Sequence, residues 1–228
     1  GEPTNMTLVT GHKGKSIMRA VCRGTAGHSS LAPQFQNALY LAADLMVSLR
    51  SLQNSHRQTG PSDPAYSVPY STLHVGKLEG GAALNMVSET ATLDLELRHL
   101  AQDPAEPILD ALRDRAAGIA AEARETQPKA DIELVEVSSY PGLEVAAGSE
   151  IIIWITKFMD IPAESVPEVS KVSFGTEAGS FAKIGVPSVV CGPGSIQQAH
   201  KPNEYIEISE LNKCDAMLAN ILSSIASD

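Results

Sequence analysis

The clearest pattern along the chain is an alternation: Ala91, Leu93, Leu95 and Leu97 are apolar, while Thr90, Thr92, Asp94, Glu96 and Arg98 between them are polar. Successive side chains of a strand point to opposite faces, so this period of two predicts a strand over 90–98 with one face in a core and one in water. Another strand is expected from Lys15 to Gly24, followed by a turn at Gly24-Thr25-Ala26-Gly27-His28-Ser29-Ser30. Beyond it Phe35, Ala38, Ala42, Leu45, Met46 and Leu49 recur at helical intervals, the spacing of an amphipathic helix lying on a sheet. The Gly-, Pro- and Ser-rich stretch 59–69 reads as a loop, 72–78 as a further apolar segment and Gly80-Gly81 as a turn. Asp103 as N-cap, Pro104 as the first helical residue and Glu106 three positions after the cap predict a helix that buries Ile108, Leu112, Ala116 and Ile119.

A strand over 131–137 then completes the order β-α-β-β-α-β, which predicts a ferredoxin-like sandwich: one antiparallel sheet covered by two helices, self-contained over about 14–138. After Tyr140-Pro141-Gly142 the style changes and a second domain is expected. It has an apolar helix over 150–159 and a continuously apolar stretch, Val186 to Cys191, that reads as a strand buried on both faces of a parallel sheet. A terminal helix follows, with Ser209 as N-cap and Cys214, Met217, Leu218, Ile221, Leu222 and Ile225 on one face. The class is therefore α/β, without internal repeats or a Gly-rich phosphate loop.

Composition narrows the partners. Of the 228 residues 43% are hydrophobic and 19% charged, which is ordinary for a folded domain. A formal charge of -10 repels phosphate backbones and anionic lipid, and 4% aromatic content offers few stacking platforms, so neither nucleic acid nor membrane is expected as a partner. No apolar run approaches the ~20 residues of a bilayer span. Three cysteines, Cys22, Cys191 and Cys214, have no metal-type spacing and an odd count, which fits a reducing cytoplasm. The opening Gly1-Glu2-Pro3-Thr4 has no upstream element to explain it, as expected of a chain cut from a longer one or freed from a tag.

Several residues carry chemistry, each with a plainer alternative. His200, in the loop after the expected buried strand, lies where α/β proteins place their sites and is either a zinc ligand or a surface histidine. His28 sits on a tight turn, either at a site or in water beside a helix capped by Ser29 or Ser30. Around Phe174-Gly175-Thr176-Glu177-Ala178, backbone amides and the Thr176 hydroxyl either hold a carboxylate or cap an ordinary helix. Arg98 shares a strand face with Asp94 and Glu96 and is open to a surface ion-pair reading, and Asn85 to a turn reading. Glu2 has no interpretable neighbours. A Gly-x-Ser-x-Gly elbow and a Cys/His nucleophile pair are both missing, which argues against covalent hydrolysis.

The order of these segments is more specific than any one of them. Gly1-Glu2-Pro3-Thr4, Gly11-His12-Lys13-Gly14, Ala26-Gly27-His28-Ser29-Ser30, Gly80-Gly81 followed by Asn85, a strand ending in Arg98, Gly175-Thr176-Glu177-Ala178-Gly179 and Cys191-Gly192-Pro193-Gly194 followed by Ala199-His200 and Asn203-Glu204 span the chain. Together they resemble the zinc-dependent deacylase and carboxypeptidase family, and Leu97-Arg98-His99-Leu100 and 173–179 are most similar to its acetylornithine deacetylases. The resemblance implies a ferredoxin-like dimerisation domain, 14–138, inserted into a partly missing zinc-peptidase-like α/β catalytic domain, 1–13 and 139–228. It implies Glu2 as a ligand of one Zn²⁺ and His200 of a second, with Co²⁺ as a possible substitute. By the same resemblance His28 is an oxyanion donor reaching into the partner subunit of a homodimer. Asn85, Arg98, Gly175 and Thr176 would hold the substrate's polar ends, Arg98 the α-carboxylate.

The activity implied is metal-dependent hydrolysis of an N-acyl amino acid, N-acetylornithine to ornithine and acetate in arginine biosynthesis, with desuccinylase or aminoacylase activity as the alternative. A non-catalytic dimerisation or binding module is the alternative of another class. The family's His-x-Asp ligands, bridging Asp and Glu-Glu pair have no match in the sequence, so this chain alone is expected to bind little zinc and hydrolyse nothing.

Overall fold

The computed structural model describes residues 1–159 and 168–227. In chain order the strands are β1 (Leu8–His12), β2 (Gly14–Arg23), β3 (Gly27–His28), β4 (Thr72–Gly80), β5 (Met86–Val87), β6 (Thr90–His99), β7 (Asp131–Tyr140), β8 (Leu143–Glu144) and β9 (Val169–Val172). The α-helices are α1 (Ala38–Thr59), α2 (Ala105–Arg124), α3 (Glu150–Thr156), α4 (Ala178–Lys183) and α5 (Ile208–Ile225). The chain divides into two compact units: Gly14–Pro64 with Val68–Tyr140, and Gly1–Lys13 with Ala65–Ser67 and Pro141–Asp228.

In the first unit the strands lie in the order β4-β6-β2-β7, every neighbouring pair antiparallel, with α1 leading from β2 to β4 and α2 from β6 to β7. This is the split arrangement of a ferredoxin-like sandwich. The alternation read in β6 is reproduced: Ala91, Leu93, Leu95 and Leu97 are buried and the residues between them face outward. They pack against Leu41, Leu45 and Leu49 of α1 and Ile108, Leu112 and Ala116 of α2, a single core between sheet and helices.

Phe35 falls outside α1, whose N-cap is Asn37, with the side chain accepting from the Leu39 amide. The start of α2 also departs from the sequence reading. Asp103 does not cap it, and the helix begins at Ala105 with Pro104 in the cap position. The Asp103 carboxylate, 5% exposed, instead accepts from His56 Nε2 at 2.6 Å and from the Ser71 hydroxyl, whose oxygen in turn accepts from the Leu100 amide. Buried partners that satisfy a carboxylate outweigh a cap on a solvent-facing helix end.

The second unit holds a three-stranded sheet, β8-β1-β9, with β9 parallel and β8 antiparallel to β1. The strand expected over 186–191 does not form. Val190 makes one antiparallel bridge to Val9, and Val186 and Pro187 are exposed. Two causes are visible: Pro187 has no N–H for a ladder, and the Val186 amide is committed to the Phe181 carbonyl behind α4. Helix α5 starts at Ile208 after Glu207, one residue ahead of the expected cap Ser209. Tyr66, 3% exposed, belongs to this unit with Ala65 and Ser67, although the chain up to Pro64 and from Val68 belongs to the other. Its ring lies beside Gly11, with Lys13 Nζ 5.8 Å and Lys171 Nζ 5.6 Å from the ring centre.

Candidate functional site

In the sandwich unit three of the sequence candidates are present, two of them adjacent. Gly27 and His28 form the short ribbon β3, which pairs with Met86 and Val87 of β5. The next amide, Ser29 N–H, donates to the Asn85 carbonyl at 3.0 Å. His28 and Asn85, far apart in sequence and both exposed, therefore meet at one ribbon. A Cβ at Gly27 would come within 2.2 Å of the Phe35 ring, so any larger residue there displaces that ring.

His28, and neither Ser29 nor Ser30, caps the following 3-10 turn, Ser29–Gln34. Its Nδ1 accepts from the Ser30 amide at 3.2 Å and lies 2.8 Å from the Ser30 hydroxyl. An N–H donor at Nδ1 assigns the proton of the neutral ring to Nε2, which leaves the ring a donor on its outer edge.

Arg98 is half-buried near the end of β6. Its Nε–H donates to Glu96 Oε1 at 3.0 Å, whereas Asp94, the other acid of that face, is held by Arg19 at 2.6 Å. The ion-pair reading of the strand therefore applies to Arg98 with Glu96 and not with Asp94.

In the other unit the segment carrying Glu2 is strapped to the loop at 192–194. Thr4 and Met6 amides donate to the Gly192 carbonyl at 3.2 and 3.0 Å, and the Asn5 amide donates to the Gly194 carbonyl at 2.7 Å. A Cβ at Gly192 would meet the Glu2 carbonyl at 2.5 Å, so only glycine permits this approach. Glu2, Thr176, Glu177 and Cys191 line one cavity of about 350 Å³. The Thr176 hydroxyl accepts from the Ala178 amide at 3.1 Å, the plain helix-start role, and Gly175 precedes it just after a bend at Ser173 and Phe174.

His200 is exposed, with a left-handed φ of 61°, and its amide donates to Glu204 Oε2 at 3.0 Å. The left-handed region costs a non-glycine residue roughly 1 kcal/mol or more, a strain that concentrates at functional loops. Among the described residues no three His, Cys, Asp or Glu side chains gather as a metal site does. Zinc takes three or four protein ligands, so Glu2 and His200 alone do not fit a complete site.

Sequence reasoning gave no role to His12, which is 0% exposed on β1. Its Nε2 accepts from the Gly179 amide in α4 at 3.2 Å, so the neutral ring donates from Nδ1 to the Lys13 carbonyl at 3.0 Å. Burial pushes the imidazole below its usual range, against the opposing effect of the Lys13 carbonyl. A depressed folded-state value means that the unfolded chain binds the extra proton first. The contribution of His12 to stability is thus complete above about pH 6.5 and is lost as pH falls below it toward the folded-state value. Urea midpoints measured from pH 8 to pH 4.5 are expected to show this slope, and His12→Gln to remove that component.

No helix among the described residues is long and apolar enough to cross a membrane. Residues 10–124 match the family profile of the M20 peptidase dimerisation domain. Acetylornithine deacetylase of Myxococcus xanthus is 28% identical over 223 residues, covering 98% of this chain and 56% of its own length. That of Aliivibrio salmonicida is 31% identical over 223 residues, covering 97% and 56%. The chain thus spans about half the length of these curated relatives. Among solved structures, aminopeptidase PepT of Bacillus cereus aligns over 99% of this chain and 56% of its own, with a TM-score of 0.73 and 22% identity. A tripeptidase of Staphylococcus aureus aligns over 100% and 56%, with a TM-score of 0.71 and 21% identity. The likeness to these two is one of fold.

Proposed function

The chain belongs to the M20 peptidase dimerisation domain family, and from that premise we propose that it is the substrate-reading and dimerising portion of a metal-dependent deacylase of N-acyl amino acids, with N-acetylornithine as substrate. The observation that carries the reading is the His28 ring: Nδ1 is occupied by Ser30, which leaves Nε2–H as the donor of an exposed residue next to the exposed Asn85. A donor fixed in advance is what an oxyanion requires, because no reorganisation is left for the moment of reaction. In this reading His28 serves the active site of the second subunit of a homodimer. Asn85, Arg98, Gly175 and Thr176 hold the substrate's polar ends, and Arg98 receives the α-carboxylate.

Glu2 and His200 are each suited to Zn²⁺ by donor chemistry, and the remaining donors come from outside the described residues. Domain roles follow the same division, with 14–138 as the dimerisation domain and 1–13 and 139–228 as parts of the catalytic domain. The purified 228-residue chain is expected to bind less than one equivalent of zinc and to release no acetate from N-acetyl-L-ornithine. Stoichiometric zinc together with deacylation would overturn this division of labour. A panel of acyl substrates on the full-length enzyme tests the specificity: preference for N-succinyl over N-acetyl substrates would favour the desuccinylase alternative.

A further inference from the structure

One row of residues crosses the whole sandwich sheet: Thr72 of β4 is aligned with Arg98 of β6, Arg98 with Lys15 of β2, and Lys15 with Tyr140 of β7. Two cations therefore stand directly opposite each other, an arrangement that by itself destabilises a sheet. Glu96, two residues earlier on the same face of β6, resolves the conflict. Its Oε1 accepts from Arg98 Nε at 3.0 Å and its Oε2 lies 3.4 Å from Lys15 Nζ. Partial burial alone would raise the Glu96 carboxyl, but the hydrogen bonds and charges of Arg98 and Lys15 outweigh it and keep the group below the usual carboxylate range. Tyr140 of the far strand, whose phenol burial pushes up, accepts a hydrogen bond from Arg98 on its phenol oxygen.

We infer that Glu96 is a positioning residue for Arg98, fixing the plane of its guanidinium for recognition of a substrate carboxylate. The inference rests on the reading of Arg98 as the carboxylate receptor. A guanidinium is planar and recognises a carboxylate through two parallel N–H bonds, so recognition depends on the orientation of that plane as well as on the charge. With Nε tied to Glu96 and Glu96 tied to Lys15, the plane is fixed by the sheet register and not by the substrate. Simple electrostatics makes the opposite forecast: deleting a negative charge beside Arg98 would tighten the grip on an anion. The two accounts differ in sign.

The test uses the full 228-residue chain, with N-acetyl-L-ornithine and its α-carboxamide as probes, followed by calorimetry and by NMR of arginine Nε–H groups. Wild type is expected to show a slowly exchanging Arg98 Nε–H signal, Glu96→Ala to lose it, and Glu96→Gln, which keeps an oxygen acceptor, to restore most of it. Affinity for the acid is expected to fall about 10-fold in Glu96→Ala, the size of one charge-assisted hydrogen bond, with the carboxamide unaffected. An unchanged Nε–H signal, or equal or tighter binding of the acid in Glu96→Ala, overturns the positioning role. If Arg98→Ala weakens the acid while Glu96→Ala does not, the receptor reading stands and only the positioning role fails. If Arg98→Ala leaves the acid and the carboxamide bound alike, both fail.

Discussion

His28→Ala in the full-length enzyme is expected to lower kcat by about 100- to 1,000-fold, the usual cost of removing one donor from an oxyanion site. KM is expected to change little, because a donor aimed at charge that develops during reaction adds little to ground-state binding. The fold is expected to survive. His28 is exposed, and what it contributes locally is a cap on a short 3-10 turn, worth about 1 kcal/mol. Steady-state kinetics with N-acetyl-L-ornithine checks the first point and circular dichroism the second. Mixed dimers decide where the histidine acts. A heterodimer of His28→Ala with His200→Ala regains one complete site if His28 serves the opposite subunit, and up to half of wild-type activity is expected to return. No recovery would place the donor in its own subunit and refute action in trans.

The largest expected loss of stability is at Leu93, which is 0% exposed at the middle of β6, aligned with Ala20 on β2 and Leu78 on β4. Leu93→Ala removes three heavy atoms from a core closed on one side by two helices. The cost expected is about 2–5 kcal/mol, the sum of lost transfer energy and the cavity left behind. The sheet is held on the β2 side by an unbroken ladder and on the β4 side by one with a register shift between Val75 and Lys77, and the helices are held by their own apolar stripes, so limited collapse into the space is expected. Urea unfolding checks it through a lower midpoint at unchanged slope. A loss below about 1 kcal/mol would show that the core relaxes around the gap.

What the sequence made legible follows from the range of the forces involved. The sandwich could be read because the period of two in β6 and the helical spacing in α1 and α2 are each local consequences of one shared core. Helix starts were less legible. Asp103 and Ser209 have cap-forming side chains, but a half-buried His56 and a buried Ser71 lie within reach of Asp103, and such competition is decided by tertiary neighbours. The stretch 186–191 was read as a strand on hydrophobicity alone, although Pro187 already argued against a full ladder.

The candidate site divides in the same way. His28, Asn85 and Arg98 were visible as residue types, but the ribbon that joins the first two is a pairing of segments far apart in sequence. The row through Lys15, Arg98 and Tyr140 depends on strand register, which turns and packing set and a single strand does not display. His12 was passed over because its partners, Gly179 and the Lys13 carbonyl, leave no mark in side-chain chemistry; the Gly11-His12-Lys13-Gly14 motif was its only signal.

The excursion of Tyr66 matters to anyone who would transplant the sandwich as an independent part. Cuts at 14 and 140 suggest two scars, yet the chain also leaves at Pro64 and returns at Val68. A graft with only the outer cuts would carry an aromatic ring away from Gly11, Lys13 and Lys171 and present it to water. Shortening 65–67 to a polar turn is therefore part of the excision, because those residues lose the contacts that bury the ring.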